Sequence, residues 1–171
     1  MTFTSAAELH TLTKLFIART LPKPDWTHAA HFAVGLCLLE SKTRDAFADM
    51  PGLIRAYNEA TGVPNSETEG YHETITIASL LAARAFRTRY STHVPLHRML
   101  AELMDSPFGK STWLLEYWSK PLLFSPEARR DWVEPDLKPL PFEAIETVAP
   151  RVRIKNSPRC GSTIAPETQK S

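Results

Sequence analysis

Two strongly apolar segments of this chain both open on histidine, and one of them is too apolar around its whole circumference to lie on a surface. After its first turn, THAAHFAVGLCLLE, from Thr27 to about Glu40, is hydrophobic on nearly every side, the pattern of a helix buried all round. The segment YHETITIASLLAARAFRTRYS, entered at Tyr71, is the second strongly apolar helix. A helix with no polar face must be enclosed by others, so the remaining segments are expected to form a helical shell around this pair. At 171 residues the chain is long enough to bury one core without disulfide or metal staples.

The shell is legible from period and breakers. Ser5 is a candidate N-cap for a helix reaching Arg19, with Leu9, Leu12, Leu15, Phe16 and Ile17 at helical spacings, and the two prolines of LPKPDW end it. Residues Arg44 to Thr61 read as a mixed helix, either one long element or two short ones, because Pro51 removes an amide donor and clashes with the preceding turn. GVPNSETEG, from Gly62 to Gly70, is turn chemistry. PLHRMLAELMDS and KSTWLLEYWSK read as helical, and Ser125 with Pro126 opens a further short helix. EPDLKPLPF, with Pro135, Pro139 and Pro141, predicts an extended strap pinned to the helices. Beyond Val148 the composition turns polar. The expectation is an all-α, irregular multi-helix bundle of about five to seven helices, with residues 1–148 as one domain and 149–171 as a disordered tail.

Lys plus Arg is 20 against 19 for Asp plus Glu, so no basic excess argues for nucleic acid or an anionic membrane surface. No run approaches the roughly 18 apolar residues of a membrane span, and the first 20 residues lack a continuous apolar core for secretion. Cys37 in an apolar run and Cys160 in a polar one do not suggest a framework disulfide, so a reducing, cytoplasmic setting is expected. No phosphate-binding glycine loop, GxSxG or HExxH occurs, so no nucleotide cofactor is indicated. A homodimer through an exposed helix is compatible with the sequence.

The chemistry-bearing residues cluster at the starts of the two apolar helices. His28 and His31 are three apart and so face one side of a helix, close enough to reach one ion. His72 and Glu73 enter the second apolar helix at its first turn. If the two starts lie side by side, His28, His31, His72 and Glu73 supply the nitrogen and oxygen donors that Zn, Fe or Mn accept. Glu73 and His72 are then the catalytic candidates, for hydrolysis or oxidation of a small molecule. Tyr57, Asn58, Asn65, Tyr71 and Thr76 are candidates for substrate or supporting contacts, although Asx turns explain the asparagines equally well.

Two other readings use the same residues. Neutral imidazoles beside a carboxylate perform acid–base catalysis without a metal. Alternatively the histidines cap helices and fill polar gaps in a non-catalytic binding module, and the polar arc containing His72, Glu73, Thr76 and Ser79 is a solvated face. His93 and His97 have Pro95 between them, which argues against one regular helix carrying both. The aromatic run Trp113, Tyr117, Trp118, Phe124 and Trp132 reads as core, having no basic groove beside it.

The motifs WTHAAH (26–31), YNEATGVPN (57–65), GYHETIT (70–76), FSPEAR and WVEPDLKPLPF together resemble a group of small bacterial proteins of unknown function. The resemblance runs from about Thr27 to Phe142. It implies a shared helical fold and attention to the same histidines, and it brings no activity with it.

Overall fold

The structure, a computed structural model, describes residues 3–90 and 93–142. Among them are seven α-helices, three 3-10 turns and no strand: α1 (Ala6–Ile17), α2 (His28–Leu39), α3 (Ala46–Ala60), α4 (Glu73–Arg87), α5 (Leu96–Asp105), α6 (Lys120–Leu123) and α7 (Pro126–Arg130). The all-α bundle expected from the sequence is therefore what the chain forms. The expected tail, residues 149–171, lies outside the described residues, as do Cys160 and the end of the expected domain at 148.

Side-chain caps set most of the helix starts. Ser5 accepts from the Glu8 amide, Thr27 from Ala30, Asp45 from Phe47 and Ala48, and Ser125 from Ala128, each satisfying an amide that the helix itself leaves unpaired, at about 1 kcal/mol per cap. Pro51 neither ends nor splits α3, which runs through it as one helix. The capped start and the buried Met50, Ile54 and Tyr57 hold the helix on both sides of the missing amide. KSTWLLEYWSK is less regular than its pattern suggests, giving a 3-10 turn at Trp113–Glu116 and only a short α6.

α2 is the centre of the bundle, with Ala30 and every residue from Phe32 to Leu38 buried. It packs parallel to α4. Glu40 at the end of α2 pairs with Arg87 at the end of α4, and a Cβ on Gly35 would meet Leu80 Cδ2 at 3.2 Å in the middle. The starts of α2 and α4 therefore share one end of the bundle. The proline-rich segment packs as an extended strap, anchored where Trp118 donates to the Val133 carbonyl and Leu137 to the Tyr117 carbonyl. Among the described residues no helix is long and apolar enough to cross a membrane.

Candidate functional site

THAAH builds its own geometry. Thr27 caps α2 through its hydroxyl, and its carbonyl accepts from His31 Nδ1 one turn later at 2.8 Å. A carbonyl only accepts, so Nδ1 carries the proton and Nε2 of the neutral ring keeps the lone pair. The ring is locked further by Trp26, which stacks on it at 3.8 Å and is itself stacked on Phe16 at 4.1 Å. Burial holds the His31 imidazole down at about 4, with the Thr27 carbonyl opposing and nearby His28 adding to the effect. His28 Nε2 donates to the Phe108 carbonyl at 2.9 Å, and its ring meets Phe32 edge-on.

At the start of α4, His72 precedes the first helical residue and is itself the cap. Its Nδ1 accepts from the Ile75 amide at 3.4 Å while Nε2 donates to the Leu123 carbonyl at 2.8 Å. Both ring nitrogens are thus committed. Burial pushes this imidazole down to about 4, the Arg129 guanidinium reinforcing and the Leu123 carbonyl opposing. Glu73 turns aside: it accepts from the Tyr71 hydroxyl at 2.7 Å and faces Arg55 at 3.9 Å. Arg55 also lies 3.8 Å above the Tyr71 ring. Burial and the Glu73 carboxylate together raise the Tyr71 hydroxyl above its ordinary value.

The parallel helix starts and the segments from Ser111 to Arg129 line a partly open cavity of about 460 Å³. His28, His31 and His72 all line it, as do Tyr71 and Thr76, but Glu73, Tyr57, Asn58 and Asn65 do not. Tyr57 donates to the Leu21 carbonyl in the core, and Asn58 and Asn65 tie the 62–70 turn together. The polar arc of α4 is not simply solvated, because Thr76 and Ser79 face the cavity beside Ile75, Leu80 and Ala83. Among the described residues no group of three or more His, Cys, Asp or Glu side chains is placed to hold a metal ion. The expected four-donor set divides accordingly: His72 has no lone pair to spare, and Glu73 is engaged outside the cavity.

Sequence reasoning missed the opposite wall, formed by Trp113, Leu114, Leu123 and Arg129. Trp113 is buried, as its aromatic run suggested, yet it also borders the cavity. No local signal in the sequence places Arg129 beside His72.

The described residues form a helical bundle with a mainly apolar, partly open cavity edged by histidine. No protein family, curated protein or solved structure matched the chain.

Proposed function

We propose that this protein binds a small, largely apolar molecule between α2 and α4, with His28 and His31 as the groups that orient it. The observation that carries the reading is the cavity itself, about 460 Å³ in volume, within the usual range of roughly 300–1,000 Å³ for small-molecule sites. His28 Nδ1 and His31 Nε2 have no hydrogen-bond partner among the described residues, while the other nitrogen of each ring is fixed by a carbonyl. Both rings are thereby preorganised to accept from a ligand O–H or N–H.

Binding fits the site better than catalysis with His31 as the base. An imidazole held at about 4 stays neutral near pH 7 but is a weak proton acceptor, whereas an effective general base has a value near the working pH. Metal-assisted chemistry would have to draw its remaining donors from water or substrate, since only His28 and His31 keep uncommitted nitrogens in the original set.

The test is equilibrium binding of apolar alcohols and their methyl ethers to the wild type and to His31→Phe. The reading expects the alcohols to bind on the order of tenfold more tightly than the ethers, and His31→Phe to remove the difference. Saturable binding of neither series would overturn it.

A further inference from the structure

Arg129, in the last turn of α7, stands in the cavity wall without a counter-charge. One of its terminal nitrogens donates to the Gly70 and Tyr71 carbonyls at 3.3 and 3.2 Å. Its Nε is buried and has no hydrogen-bond partner. Among the described residues Arg129 joins no ion pair. Glu73 is engaged by Tyr71 and Arg55, and Glu67 by Arg130.

A second cavity-lining residue has the same deficit. The indole N–H of Trp113, a residue only 2% exposed, is also buried without a partner. Of the three buried polar atoms left unpaired among the described residues, these two belong to residues of the cavity wall, and both are donors. The helix starts add to the imbalance. α2 and α4, 12 and 15 residues long, bring the positive ends of their dipoles to the same end of the bundle. The lining of the cavity holds one guanidinium and no carboxylate, so it favours a ligand that supplies acceptors and negative charge.

We infer that the molecule held here is a small carboxylic acid with an apolar body that also carries an O–H or N–H group, the carboxylate paired with Arg129 and the donor turned to His28 and His31. The inference rests on the reading of the cavity as a ligand site and adds the chemical class. A carboxylate fits better than a phosphate. A single guanidinium supplies one positive charge and so matches a monoanion, whereas a dianion would require further cations that the lining does not contain.

The experiment compares straight-chain carboxylic acids of about six to twelve carbons with their primary amides, binding to the full wild-type chain near pH 7. The acids are expected to bind on the order of tenfold more tightly than the amides. That preference should collapse in Arg129→Met and largely survive in Arg129→Lys. Equal binding of acids and amides would overturn the inference while leaving the cavity reading intact. If neither series binds, both fall. The wild-type comparison decides the matter even if Arg129→Met fails to fold after losing its bonds to Gly70 and Tyr71.

Discussion

His72 illustrates how one side chain divides between structure and chemistry. Its Nδ1 caps α4 and its Nε2 holds the Leu123 carbonyl. His72→Ala removes both bonds and strands a buried carbonyl, so a loss of about 2 kcal/mol is expected in denaturant unfolding. Asn is a good cap too short to reach Leu123, so His72→Asn should recover roughly half of that loss. The fold also prefers the neutral form of two imidazoles, since His31 and His72 both lie at about 4 against an ordinary 6.5. Their contribution is complete above pH 6.5 and is lost as the pH falls towards 4, by at most about 3 kcal/mol each. Urea melts at stepped pH should show this decline, with a shallower slope in the His31→Gln/His72→Asn double variant. The spacing of His28 and His31 made their common face legible in the sequence. The carbonyl that occupies His72 lies 51 residues further along the chain, and no local pattern announces it. Nor does sequence reveal that Glu73 turns towards Tyr71 and Arg55, because that choice depends on how the 62–70 turn folds back.

At the scale of elements, the starts and stops were mostly legible because caps and breakers act locally. Ser5 and Ser125 cap where their sequence context says they should. Pro51 was ambiguous, since a proline's cost is local while the packing that offsets it is not. The turn ahead of α4 is fixed by Asn65, whose side chain accepts from the Tyr71 amide and donates to the Arg55 carbonyl. Gly70 closes that turn at φ +78, where a Cβ would fall 2.2 Å from the Pro64 carbonyl oxygen. Gly70→Ala is therefore expected to cost more than about 2 kcal/mol, from backbone strain and overlap together. Gly35→Ala presents a milder case, because its new Cβ meets only the end of the Leu80 side chain. Some gain in helix propensity offsets the contact, so its effect should stay within about 1 kcal/mol. Thermal or denaturant unfolding of the two variants checks the contrast.

Across the whole molecule, the cavity exists because late segments fold back over the paired starts of α2 and α4. Leu123 binds His72, the Phe108 carbonyl binds His28, and Thr74 bridges to the Asp131 carbonyl and the Val133 amide. The histidines thus hold the walls in place, and the uncommitted nitrogens of His28 and His31 remain for what enters. These long-range closures explain why the sequence yields the helical class and the histidine end but not the cavity, whose opposite wall, Trp113 to Arg129, lies far from α2 in the chain. Filling the cavity separates its role in binding from its role in stability. Ser79→Leu places apolar atoms in existing space, so ligand binding should be lost with stability changed by less than about 1.5 kcal/mol.

The most direct test is an amide and indole chemical-shift titration of the wild type with a neutral apolar alcohol, repeated on Ser79→Leu. Binding in the cavity predicts saturable shifts at Ile75, Thr76, Ser79 and Ala83 and at the Trp113 indole, all abolished in the variant. Shifts that are absent, scattered over the surface or unchanged by Ser79→Leu would contradict it.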